Sequence, residues 1–377
     1  MKQTLCYYAK KPVYLLCYLI SFPVLPLLFF YSHKFGELKY LSNKDCEIWK
    51  KAMGSMLREC YKANNYFSVW KVVYSFAFSK ITVIKKTDIV SDNVPVVVLC
   101  VKNDLKKIKM LISYYRKLGV EKFAVMDNGS DDGTLGWLKE QVDVDLFLSF
   151  AKYQWLVKEG WINRIVSYYG FRHWYILADS DELAAYIGME QHSLKDVIRF
   201  AMKRNIKKFK GIMIDMYTNG EVFDNNQNNI FKEYRWMDTD SYLEEEDFVG
   251  NCKIKCYRGG PRERVMGCHA GLSKYSLCFF EEGTVSANPH YHYPFSSLES
   301  SECYLGILHY KFTAEDLVKY SNIARFGLGY WKNGYEYRLY LEHMHKHKNP
   351  TFMYEKSAKF VDSYSLRGIP FIKEMEF

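Results

Sequence analysis

Three carboxylates close a strongly apolar run, Trp174-Tyr-Ile-Leu-Ala-Asp-Ser-Asp-Glu182. An apolar stretch of that length reads as a central strand, so Asp179, Asp181 and Glu182 would stand at its C-terminal edge. Carboxylates so crowded repel one another unless they lie on a surface or around a cation. Mg²⁺ or Mn²⁺ suits them, because such an ion is typically held by one or two protein carboxylates while phosphate oxygens complete its shell. The alternative for an Asp-x-Asp at this point is an acidic cap on a following helix.

The elements upstream must position these groups. Val94 to Val101 is a second β-branched run, closed by Lys102, Asn103 and Asp104. A helical pattern follows, with Ile108, Leu111, Ile112 and Tyr115 on one face and Gly119 at its end. Lys122 to Met126 predicts a short strand, and Asp127 to Thr134 is rich in turn residues, with Thr134 placed to cap a helix from Leu135 to Gln141. A strand at Val144 to Phe150 and a helix from Gln154 to Tyr169 lead into the Asp179 strand. This β-α-β-α-β-α-β order predicts half of a doubly wound α/β sheet, with polar strand ends converging on one crevice.

Taken in order, Val101-Lys-Asn-Asp104, Leu118-Gly-Val120, Asp127-Asn-Gly-Ser-Asp-Asp-Gly-Thr134 and Leu177-Ala-Asp-Ser-Asp-Glu182 resemble one known pattern. They are similar to the nucleotide-sugar half of family 2-type glycosyltransferases with the GT-A fold, nearest the branch of bacterial surface-polysaccharide enzymes whose acidic motif reads Asp-x-Asp-Glu. The likeness covers residues 94 to 220 well and the remainder loosely, and Asp104 stands where that branch often has Glu.

The resemblance implies a single mixed, mostly parallel sheet flanked by helices over 91–310. Residues 94–182 would form the nucleotide-sugar half, 208–310 the acceptor half and 311–377 a helical closure. It implies a metal-dependent glycosyltransferase using Mn²⁺ or Mg²⁺, which moves a sugar from a nucleotide-sugar donor, a UDP-sugar first among them, to a glycan or lipid-linked acceptor in surface-polysaccharide synthesis, with inversion. The metal would act as a Lewis acid on the leaving diphosphate. By the family's logic Asp181 would ligate it, with Asp179 on the ribose or a metal-bound water. Asp127 and Asn128 would lie beside the base and ribose, and Asn103 with the backbone at Val101 would form the other wall. Asn163 and Arg164 would lie near the phosphates. GT-A enzymes often add one His from the C-terminal part, for which His309 is the candidate and His290 and His292 are runners-up. Bland alternatives stand beside these roles: Asn103 and Asp104 as helix caps, Asn128-Gly129 as a tight turn and Arg164 as a solvated helix residue.

Asp215 lies among apolar residues in Gly211-Ile-Met-Ile-Asp-Met-Tyr217. A lone carboxylate there is costly unless paired or functional, and with a raised pKa it would suit a general base for the acceptor hydroxyl. The alternative is a buried Asp that ties down its neighbouring loop. Glu221 and Asp224 are rivals, whereas Glu244 to Asp247 reads as a solvated acidic loop. A glycoside hydrolase also needs two carboxylates, but across a sugar at about 5 to 9 Å, which Asp179 and Asp181 on one strand suit poorly. The non-enzymatic rival is an inactive glycan-binding or assembly subunit.

Ten cysteines lack tight Cys-x2-Cys pairs or a regular framework, which points to a reducing compartment rather than to zinc or disulfides. Val13 to Tyr31 is 19 residues without a charge, membrane-span length although interrupted by Pro23 and Pro26. Residues 1 to 90 hold 14 Lys and Arg against 5 Asp and Glu, which accounts for the whole net charge of +9. Charge concentrated beside an apolar segment and away from the catalytic fold argues for an anionic membrane surface and against nucleic acid. We therefore expect 1–31 to associate with membrane, 32–90 to form a basic connector, and the catalytic part to lie on the cytoplasmic face of a bacterial inner membrane. The alternative is a Golgi-type anchor with a lumenal domain, yet the sole Asn-x-Ser/Thr acceptor, Asn128-Gly-Ser130, falls inside the proposed donor loop.

Overall fold

The computed structural model describes residues 79–87, 94–223, 230–249, 252–281, 284–298, 302–327, 330–347 and 350–377. The apolar segment Val13 to Tyr31, most of the basic connector and Asp224 lie outside the described residues. Among the described residues, no helix is long and apolar enough to cross a membrane.

The first half alternates strands and helices: β1 (Thr82–Lys85), β2 (Val96–Val101), α1 (Leu105–Lys117), β3 (Lys122–Asp127), α2 (Thr134–Glu140), β4 (Val144–Leu148), α3 (Trp155–Tyr169) and β5 (His173–Ala178). There follow β6 (Glu182–Ala185), α4 (Leu194–Lys203), β7 (Lys208–Asp215), α5 (Ile230–Glu233), β8 (Trp236–Asp238), β9 (Tyr242–Val249), β10 (Cys252–Gly259) and α6 (Gly260–Met266). The chain then forms β11 (Ser273–Phe280), β12 (Val285–Ser286), β13 (His292–Tyr293), β14 (Cys303–His309), α7 (Asp316–Phe326), α8 (Tyr335–Lys346) and β15 (Ser357–Lys359).

Among the described residues, nine strands make one mixed sheet in the order β1-β4-β3-β2-β5-β11-β7-β14-β6. The strands β4, β3, β2 and β5 run parallel, and β11 pairs antiparallel with both β5 and β7. Val96 to Leu99 and Val101 are buried in β2, as a parallel strand covered on both faces requires. Ile108, Leu111, Ile112 and Tyr115 of α1 pack against one face, while Trp161, Ile165 and Val166 of α3 belong to the core on the other. Register then places the chemistry. Val101 lies opposite Asp127, so the polar ends of β2 and β3 coincide. His309 lies opposite Asp215 on one side and Glu182 on the other, which brings the end of β14 against the acidic turn after β5.

Two local expectations change. Thr134 is the first residue of α2 and not its cap; Gly133, at φ +93°, takes the cap position while Asp132 Oδ1 accepts from the Thr134 N–H. Glu244 to Asp247 form a strand and not a solvated loop. They sit in β9, paired with β10, where Lys255 Nζ reaches Glu244 at 2.7 Å and Arg258 reaches Asp247 at 2.9 Å.

Candidate functional site

A cavity of about 210 Å³ opens where β2, β5 and β14 end, with Val101, Asn128, Asp179, Asp181 and His309 in its walls. Helices α7 and α8, the segment between them and the loop before α3 close the other side with Tyr153, Lys319, Tyr320, Tyr330 and Tyr337. The Tyr153 and Tyr330 rings lie 4.9 Å apart.

The floor is a relay of three side chains. Arg262 Nε donates to Asp215 Oδ2 at 2.6 Å, and His309 Nδ1 lies 2.7 Å from Asp215 Oδ1. An ionised carboxylate can only accept, so Nδ1 donates, and whenever the ring is neutral Nε2 keeps its lone pair. That Nε2 faces Asp181 Oδ2 at 3.6 Å. Gly259 delivers Arg262: its φ is +92°, and a Cβ there would come within 2.0 Å of the Ser241 carbonyl oxygen, so only glycine permits the turn into α6.

This arrangement corrects the expectation for Asp215. Burial pushes its pKa upward, but the Arg262 guanidinium and the His309 hydrogen bond outweigh burial and hold it below the usual Asp range. With both oxygens engaged and the side chain 1% exposed, it is not the free, raised-pKa base that an isolated buried Asp implied. It positions His309.

Asp179 is bound on both sides by cations. Lys158 of α3 is hydrogen-bonded to Oδ1, and Lys274 Nζ lies 3.7 Å from Oδ2. Its backbone N–H donates to Glu182 Oε2, which Lys274 also contacts. Burial works to raise the Asp179 pKa, and Lys158 and Lys274 together depress it far below normal. Asp181 is depressed as well, since His309 and Lys107 outweigh its burial.

Among the described residues, no three His, Cys, Asp or Glu side chains converge to hold a metal ion. Two do face each other. The separation of Asp181 Oδ2 from His309 Nε2, 3.6 Å, is near the edge of about 3 Å expected for an octahedron built on bonds of about 2.1 Å. The carboxylate behind His309 matches the support a metal-ligating imidazole typically has. The residues present thus fit a divalent ion held by Asp181 and His309, with its remaining positions open to phosphate or water. Asp179 fits less well as a ligand, because Lys158 holds its Oδ1 and Lys274 stands 3.7 Å from its Oδ2.

The remaining expected residues separate into two groups. Asn128 lines the cavity, and its Nδ2 donates to the Ser149 and Ala151 carbonyls at 2.8 and 3.0 Å. Asp127 is fully buried; Oδ1 accepts from the Ser130 N–H at 2.7 Å, whereas Oδ2 is buried without a hydrogen-bond partner in the structure. Asn103 has φ +53° and exchanges two hydrogen bonds with Asp131, at 2.7 and 2.9 Å, which fixes the β2–α1 loop. Asp104 holds Ser180 Oγ at 2.5 Å, while Asp132 Oδ2 accepts from the first N–H of α1.

Asn163 and Arg164 fall outside the cavity wall. Asn163 makes a reciprocal pair with the Ser286 backbone at 3.0 and 2.8 Å, and Arg164 Nε donates to Ser79 Oγ at 3.0 Å. Both bond to the protein and neither lines the cavity where the phosphate role would place them. The rival histidines have structural partners: His290 Nδ1 lies 2.7 Å from the Ser273 carbonyl, and His292 Nε2 donates to that of Tyr275 at 2.7 Å. Lys158, Lys274, Lys319 and Arg262 were not singled out in the sequence. One signal was available for the first, since Lys158 and Glu159 interrupt the apolar first turns of their helix and both are buried.

No protein-family model matches the chain. No curated protein matches it. Among solved structures, HddC from Yersinia pseudotuberculosis aligns at 13% identity over 48% of this chain and 74% of that one, with a TM-score of 0.26. A likeness so slight does not define the fold.

Proposed function

We propose that the cavity binds a nucleotide-sugar together with Mn²⁺ or Mg²⁺, and that the chain is a glycosyltransferase of GT-A type. The observation that carries this reading is the chain Asp215–His309–Asp181. It aims an imidazole lone pair and a carboxylate at one point beside a solvent-open cavity. A bound divalent ion would supply Lewis-acid stabilisation of the charge that grows on the leaving diphosphate. The protein's part is to present Asp181 and His309 to the ion and to hold the donor. Val101 and Asn128 line the end of the cavity where a base or ribose would lie, whereas Asp127 is buried and is not part of its wall. Asp179, pinned by Lys158 and Lys274, fixes the acidic turn and leaves Asp181 as the ligand. Tyrosines on the far wall offer ring faces to a sugar, whose C–H surfaces pack well on aromatic planes.

The acceptor is a glycan or lipid-linked sugar. The uncharged run Val13 to Tyr31 and the basic balance of residues 1 to 90 support work at a membrane surface, the cytoplasmic face of a bacterial inner membrane. The test is turnover of a panel of UDP-, GDP- and ADP-sugars by the full chain with Mn²⁺, read as release of the nucleoside diphosphate. The reading expects one donor to be consumed, and EDTA to stop it. Release that continues in EDTA, or no release from any donor, would overturn it.

A further inference from the structure

We propose that Lys319, on α7, binds the diphosphate of the donor, leaving Asp104 to do so. The inference rests on the nucleotide-sugar reading of the same cavity. Four lysines line that cavity, Lys102, Lys158, Lys311 and Lys319, and two of them are already committed to carboxylates. Lys158 is buried against Asp179. Lys311 is held by Glu336 at 2.7 Å and lies 5.1 Å from the Tyr337 ring centroid, so moving it would break a buried pair and a cation–π contact. Lys102 is carried by the loop after β2 and not by a helix.

Lys319 differs from each. Its Nζ is 3.5 Å from Asp104 Oδ2, a loose contact, and 46% of its side chain is exposed. Asp104 keeps Ser180 Oγ at 2.5 Å when the ammonium leaves, so no carboxylate is stranded. The helix that carries the lysine is anchored: Lys107 Nζ meets Asp316 at 2.6 Å in a buried pair, one turn before Lys319. Only side-chain torsions therefore have to change. A cation on the wall of a cavity that Asp181 also lines is where a leaving diphosphate would need a second positive charge.

Lys319→Met, Lys319→Arg and the unchanged full chain are compared by calorimetric titration with UDP, GDP, ADP and CDP in Mn²⁺, and with the matching nucleosides. Thermal melts confirm that the variants fold. For the diphosphate that binds the unchanged chain, Lys319→Met is expected to weaken affinity about tenfold to a hundredfold, the worth of a charge-assisted hydrogen bond. Lys319→Arg should restore most of it, and nucleoside affinity should not change. Equal diphosphate affinity in the unchanged chain and Lys319→Met would overturn this inference alone. Failure of every diphosphate to bind the unchanged chain would overturn it together with the nucleotide-sugar reading.

Discussion

Asp215 commits both carboxylate oxygens to the protein, one to Arg262 and one to His309. A residue so engaged acts through its neighbour, and the consequence is measurable. Asp215→Asn should keep the fold but weaken Mn²⁺ binding in the presence of nucleoside diphosphate by about 10- to 100-fold, the usual cost of losing the group that orients a metal-binding His. Stability should fall by about 3 kcal/mol because Arg262 loses a buried carboxylate. Unchanged metal affinity in a titration would return Asp215 to a purely structural role. Asp179, Asp181 and His309 were legible in the sequence because each closes an apolar run, and strand ends in an α/β sheet meet at one edge. The lysines were not legible. Lys158 reaches Asp179 across 21 residues and Lys274 reaches Glu182 across 92, so no local pattern records either pairing.

At the scale of elements, α7 forms the far wall because two lysines of α1 hold its beginning, Lys106 on Glu315 and Lys107 on Asp316. The pairs have equal formal charge but unequal surroundings. Lys107 and Asp316 are 1% and 3% exposed, whereas Lys106 and Glu315 are 39% and 58% exposed. Lys107→Ala should therefore cost about 3 to 5 kcal/mol by leaving Asp316 buried without its cation. Lys106→Ala should cost under about 1 kcal/mol. Urea denaturation of both variants decides this, and equal losses would mean that α7 is held by packing alone. The helices α1 and α3, and the strands between them, could be read from periodicity because each has its own apolar stripe or run. The β9–β10 ribbon could not be so read. Its acidic strand is stabilised by basic residues on the partner strand, with Lys255 and Glu244 separated by 11 residues, and only register reveals that they are diagonal neighbours.

For the whole molecule, the buried titratable groups set an acid limit on stability in two steps. Burial, with Lys208 and Lys274 nearby, pushes the His292 pKa down to about 3. As pH falls below about 6.5, the unfolded chain binds a proton that folded His292 refuses, so stability is lost as pH falls. Between pH 7 and pH 5 this amounts to about 2 kcal/mol. Asp181 and Asp215, both depressed, contribute stability above the ordinary Asp range and lose it on further acidification through their folded pKa values. Urea midpoints at the two pH values should show the first loss in the unchanged chain and a smaller one in His292→Gln; equal losses would place the sensitivity elsewhere. In the proposed function Asp181 and His309 hold a divalent ion through which the cavity grips a diphosphate. The most direct measurement is calorimetric titration of the nucleoside diphosphate into the full chain and into Asp181→Ala, each with Mn²⁺ and with EDTA. The account predicts binding only by the unchanged chain and only with Mn²⁺. Equal binding in EDTA, or by Asp181→Ala, would contradict it.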